Sequence, residues 1–304
     1  MRMGMLFGLV LAIAACTGEP QVEGKRAGTY AAPEWSLHLP DRPQALLVLF
    51  PCYSCDTSDT RTESRIVEEA GSRGVAVLLM GINRRIFLSE SELQALVRSI
   101  RMAIDDHDLR KAPVFFGGFS SGGNVSVLLA KHLAQHPEAG IGLKGLFVVD
   151  PPLDLAHVYA NCVNDTAHPN PGTAEEARMV VRLLEDSLGR PQEHPETYLA
   201  RSPITFDDAS VELLKPYAVR LYTEPDTVWW REQRGQRYEE LNAWRLKQLE
   251  AQLQRVHHPS ARLIETTGRG VQHGRRHPHA WSIVDEKELM NWVLGEVNDR
   301  TAVP

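Results

Sequence analysis

The sequence predicts an α/β fold: a mostly parallel central sheet flanked by helices, with a cap-like insertion. Three observations predict it. Short continuous apolar runs recur along the chain, amphipathic stretches of helical period separate them, and a glycine-rich turn joins one apolar run directly to an apolar helix. At 304 residues and 43% hydrophobic, the chain suits one large α/β domain or two small ones and has enough apolar content for a sizeable core. Net charge is -6, with Lys+Arg 33 against Asp+Glu 39 and the two signs interspersed. No basic block stands out, so nucleic acid is excluded as a partner class.

Residues 1–15 form the first element. Arg2 supplies a positive start, and Met5 to Ala15 is an apolar run too short to span a bilayer but right for a signal peptide. It ends in Ile13-Ala14-Ala15-Cys16, which resembles the lipobox of bacterial lipoproteins. That resemblance implies cleavage before Cys16, acylation of its sulfur and amine, and a domain lipid-anchored to a membrane of the cell envelope. An ordinary signal peptide with Cys16 as a small residue is the plainer alternative. Residues 16–28 are polar with Gly and Pro and read as a flexible tether, so the folded domain is expected over 29–304.

The strands follow in order. Trp35 to Leu39 alternates and reads as a half-exposed strand. Ala45 to Phe50 and Val75 to Met80 are continuous apolar runs, as strands buried on both faces require. Val114 to Phe116, Leu146 to Val149, Val219 to Tyr222 and Ala261 to Ile264 continue the series. Helices fit between them. Ser89 with Glu92 makes a capping box ahead of Leu93, Leu96, Val97, Ile100 and Ile104 at helical spacing. Asn124 to His132, a stretch from Leu241 to Leu253 and a final one from Trp281 to Leu294 read the same way. Between about 151 and 216 no strand is evident, only Pro-rich loop and a helical patch near Ala174 to Leu188. An insertion there is expected to form either a lid or a decorated crossover.

Gly118-Phe119-Ser120-Ser121-Gly122 matches G-x-S-x-G, between an apolar strand and an apolar helix. On this motif and the order of strands, the chain resembles the α/β-hydrolase family from about Thr29 to about Gly295. The resemblance implies a serine hydrolase with Ser120 as nucleophile, followed by an acid after a later strand and a histidine after the last one. Val219 to Tyr222 is followed by Glu224 and Asp226; Asp226 is favoured and Glu224 is the alternative. The segment 268–281 carries His273, His277 and His279, of which His279, just before the final helix, stands in the family's usual place; His277 is the alternative. The expected roles are His279 as general base and acid, and Asp226 as its orienting carboxylate. The oxyanion hole is expected from the N–H of Ser121 and one from the loop after Phe50, with Cys52 ahead of Tyr53. Many family members have a His-Gly pair at that loop, and this chain has Pro51-Cys52-Tyr53 instead.

Cys52 and Cys55 admit other readings. A strand followed by C-x-x-C resembles a thioredoxin-like redox motif, yet in an exported protein the pair suits a structural disulfide. No metal site and no cofactor are expected. Trp229-Trp230 follows the candidate acid and reads either as a pocket wall or as packing. Asp150-Pro151-Pro152 ends a strand on the same side of the sheet as the elbow. The expected partner is a small-molecule ester or a peptide. A catalytically silent envelope lipoprotein that binds a ligand is the reading from a different class.

Overall fold

The computed structural model describes residues 27–82 and 84–299. The segments read as leader, Cys16 and nearly all of the tether lie outside them. In chain order the elements begin with β1 (Gly28–Ala32), β2 (Trp35–Leu39), β3 (Ala45–Phe50), α1 (Thr57–Glu63), α2 (Ile66–Ser72), β4 (Val75–Met80) and α3 (Glu90–Asp106). Next come β5 (Val114–Phe119), α4 (Ser121–Gln135), β6 (Leu143–Val149), α5 (Leu155–Asp165), α6 (Pro171–Leu188), α7 (Pro195–Arg201) and α8 (Asp208–Glu212). The chain closes with β7 (Ala218–Thr223), α9 (Thr227–Trp229), α10 (Asn242–Arg255), β8 (Ala261–Glu265), a small hairpin of β9 (Val271–Gln272) and β10 (Arg275–Arg276), and α11 (Glu286–Asn298).

Eight strands among the described residues form one sheet in the order β1-β2-β4-β3-β5-β6-β7-β8. Strands β3 to β8 run parallel, while β2 joins β4, and β1 joins β2, antiparallel. Burial on both faces explains the continuous apolar runs. Every residue of β3, β4 and β5 is buried, because helices cover both faces of the sheet. One face packs Leu46, Val48 and Phe116 under α3, α4 and α10; the other packs Leu47, Leu49 and Phe115 under α2 and α11. Each fully buried Leu or Phe contributes roughly 1.5–3 kcal/mol through removal from water.

That division of helices positions the site. The helices after β3 lie on one face and α4, after β5, lies on the other. The neighbouring strands β3 and β5 therefore send their connections apart, and a crevice opens at their carboxyl ends.

Several local readings change. Residue 28, read as the last of the tether, opens β1. The region 151–216 holds four helices rather than one patch; α5 and α6 pack on each other, and Leu155, Tyr159, Leu184 and Tyr198 form a core of their own. The final helix does not begin at Trp281. A single turn spans Trp281–Ile283, and α11 starts after Asp285, whose Oδ1 accepts from the N–H groups of Lys287 and Glu288. The capping box at α3 is formed by Ser89 and Glu92 as its sequence implies.

Candidate active site

Ser120 stands between β5 and α4 with φ 54° and ψ -125°, a backbone conformation that costs a non-glycine residue of order 1–3 kcal/mol. The surroundings enforce it. Its N–H donates to Val149 O at 2.8 Å, extending the β5–β6 ladder by one bond. A Cβ at Gly118 would strike the backbone of Gly122, and one at Gly122 would strike the carbonyl oxygens of Phe50 and Pro51. Glycine is required at both positions so that β5, α4 and the end of β3 pass this closely. Ser121 opens α4, whose first N–H groups have no acceptor within the helix and lie at the positive end of its dipole.

His279 lies on the segment between β10 and the Trp281 turn. Its Nδ1 is 2.7 Å from Oδ2 of Asp150, the residue that follows β6. Asp150 is buried and has φ 47°, a second strained backbone at this rim. Each part of it is held: the hydroxyl of Thr223 donates to Oδ1 at 2.6 Å, the side-chain amide of Asn242 donates to its carbonyl at 2.9 Å, and its N–H donates to Tyr222 O at 2.9 Å. With Nδ1–H toward this carboxylate, Nε2 is the ring nitrogen left for other partners.

Asp226 and Glu224, the two acids read from the sequence, are not brought to His279. Arg276 Nη2 pairs with both, 2.7 Å from Asp226 Oδ2 and in contact with Glu224 Oε1. Asp226 also caps the turn at α9 by accepting from Trp229 N–H at 3.0 Å. Glu224, almost wholly buried, accepts further bonds from the Thr266 hydroxyl and the N–H groups of Arg269 and Gly270 through Oε2. These carboxylates fasten the loop 266–276 to the end of β7. The acid facing the histidine instead sits one strand earlier, and its sequence signal was a carboxylate directly after a buried apolar strand, Leu146 to Asp150. Chain order does not single it out, because Asp150, Glu224 and Asp226 all lie between Ser120 and His279; the lateral neighbourhood of β6 and β5 carries Asp150 to the cavity side of Ser120.

Among the described residues, no carboxylate bonds to His277. Its Nδ1 lies 2.9 Å from the carbonyl of His279 and its ring packs edge-on against Trp229 and Trp230. Burial, with added repulsion from His279, pushes its pKa down to about 4. A neutral His277 donates from Nδ1 to that carbonyl and leaves Nε2 to accept from Arg234 Nη2, 3.4 Å away. His273 is exposed and faces Glu63 at 2.8 Å.

Ser120, Ser121, Asp150 and His279 share one cavity of about 540 Å³ with Cys52 and Tyr53. Its far wall comes from the insertion, through His157, Asn161 and Cys162 of α5 and Thr173, Ala177 and Val180 of α6. Trp230 and Arg234 line it as well. Burial raises the Cys162 thiol to about 12, which keeps it protonated and a poor nucleophile. Cys52 and Cys55 are joined by a disulfide, and Cys55 N–H donates to Cys52 O at 3.0 Å, so the loop after β3 is closed twice over.

No family model matches the chain, and no curated protein is detectably similar to it in sequence. Solved structures are similar in shape. An esterase from Pyrococcus furiosus superposes with a TM-score of 0.57 at 13% identity, covering 88% of this chain and 86% of its own. An esterase from Pyrobaculum calidifontis gives 0.56 at 13%, covering 91% and 87%. A carboxyl esterase from the fungus Tuber melanosporum gives 0.54 at 12%, covering 95% and 90%. The fold is the α/β-hydrolase fold. Within it Ser120 stands on a turn between a strand and a helix, and Asp150 and His279 follow it along the chain.

Proposed function

We propose that this α/β-hydrolase-fold chain is a serine hydrolase that cleaves an ester or amide bond through a covalent acyl-enzyme, with Ser120, His279 and Asp150 as its triad. The 2.7 Å contact between His279 Nδ1 and Asp150 Oδ2, at the mouth of the cavity that holds the strained Ser120, carries this reading. Ser120 Oγ attacks the acyl carbon while His279 Nε2 takes its proton. Asp150 holds the imidazole tautomer and stabilises the imidazolium. The backbone N–H groups of Ser121 and Cys52 receive the oxyanion, and the Cys52–Cys55 disulfide holds the second donor in place. His279 then protonates the leaving group, and water, activated by the same imidazole, releases the acyl group. The esterases of like shape favour an ester. By its leader and Cys16, the enzyme works lipid-anchored at a bacterial cell envelope.

Labelling of the purified domain with a fluorophosphonate probe, mapped by peptide mass, tests the chemistry. The expected result is one adduct, on Ser120, absent from Ser120→Ala and strongly slowed in His279→Ala. A well-folded protein that takes no adduct would instead be a silent binding protein of this fold. Replacement of Cys16 by Ser, with the protein followed into membrane and soluble fractions, tests the anchor; a variant that stays as membrane-bound as the parent sinks it.

A further inference from the structure

At the far end of α4 from Ser120, two imidazoles and a carboxylate converge. His132 and His136 are one turn apart on α4 and at its C-terminal cap, with ring centroids 4.5 Å apart. Glu90, the first residue of α3, faces them: its Oε1 is 3.7 Å from His132 Nδ1. The donor atoms of the three residues all lie within 4.8 Å of one another. We infer that Glu90, His132 and His136 form a binding site for a divalent transition-metal ion, zinc by the nature of the donors, that staples α3 to α4.

The distances argue for an ion rather than a direct bond. At 3.7 Å the His132 nitrogen and the Glu90 oxygen are too far apart for a hydrogen bond. They are close to the spacing of about 3.3 Å between two ligands of one tetrahedral zinc with bonds near 2.0–2.1 Å. Two histidines with one glutamate is a donor set that zinc accepts, leaving a fourth position for water. His132 is buried and supplies a fixed anchor, while Glu90 and His136 are more exposed and have room to close the remaining gap. The supporting shell is present too. Gln94 Nε2 donates to Glu90 Oε1 at 3.0 Å, and Glu138 Oε1 stands 3.1 Å from His136 Nδ1, as a carboxylate partner that orients a ligating imidazole does. His132 lies twelve residues beyond Ser120 along one helix, roughly 18 Å at 1.5 Å per residue, so the ion is structural and takes no part in hydrolysis.

Calorimetric titration of chelator-treated, dialysed full-length protein with zinc chloride tests the assignment, beside a thermal melt of each sample with and without zinc. The wild type is expected to bind one equivalent that is missing from His136→Ala and from Glu90→Gln, both exposed substitutions that spare the core. Glu138→Gln is expected to weaken binding by about 10–100-fold. Zinc should raise the melting temperature of the wild type and not of the two ligand variants, whose apo melts and circular dichroism match the wild type. Equal zinc binding by wild type and both variants would overturn the site, as would no zinc binding by the folded wild type.

Discussion

Asp150 and His279 are 129 residues apart in the chain and 2.7 Å apart at the rim of the sheet. The carboxylate reaches the imidazole from the end of β6, while the end of β7 spends its two acids on Arg276. The two arrangements separate experimentally. Asp150→Asn is expected to slow acylation of Ser120 by on the order of 10³–10⁴-fold, because an amide there favours the wrong histidine tautomer. Asp226→Asn should slow it by less than about tenfold, through loosening of the loop alone. Rates of fluorophosphonate labelling compare them directly, and the reverse ranking would return the triad to Asp226.

Glu224 is a structural carboxylate on this account. It is buried against Arg276 and accepts from two backbone N–H groups and a hydroxyl. Glu224→Gln removes the charge opposite Arg276 and turns an amide N–H toward donors, which should cost about 3–5 kcal/mol. Urea unfolding of the variant measures this. A loss under 1 kcal/mol would mean that the loop 266–276 is held by other contacts.

The divide between what sequence reading captured and what it missed has a physical cause. Buried parallel strands are legible because both of their faces are covered, so β3, β4 and the Leu146 to Val149 end of β6 appear as unbroken apolar runs, while β7 is broken by Arg220. The elbow is legible because its two glycines are demanded by local backbone approach. The acid is not legible in the same way. Glu224, Asp226 and Asp150 all follow buried strands, and what distinguishes them is whether Arg276 or His279 lies opposite, which depends on the path of the loop 266–279. The short helices α1 and α2 were missed for a related reason: α1 is polar, and its helical state is set by the Asp56–Asp59 capping box rather than by apolar period.

Gly122 offers a test of the Ser120 turn that leaves the proposed triad residues untouched. A methyl group there meets the carbonyl oxygens of Phe50 and Pro51, so Gly122→Ala must push α4 away from the end of β3. The Ser121 and Cys52 N–H groups then separate, and acylation should fall by roughly 10²–10³-fold, the magnitude associated with losing one oxyanion donor. A variant of unchanged labelling rate would show that the second donor comes from elsewhere than the loop after β3.

His277 gives the protein a pH signature. Its folded-state pKa is near 4 against an ordinary value of 6.5, because burial among Trp229, Trp230 and His279 disfavours the charged ring. Above pH 6.5 the ring is neutral whether the chain is folded or not, and the stability it contributes is complete. As pH falls from 6.5 toward 4, the unfolded chain takes up a proton that the folded chain refuses, and that stability is lost. His277→Gln keeps a donor for the His279 carbonyl and removes the titration. The wild type should therefore lose about 1 kcal/mol more than this variant between pH 7.5 and pH 5, after allowance for partial solvent screening. Parallel urea denaturation at the two pH values reads the difference, and identical losses would mean that His277 is protonated in the folded state.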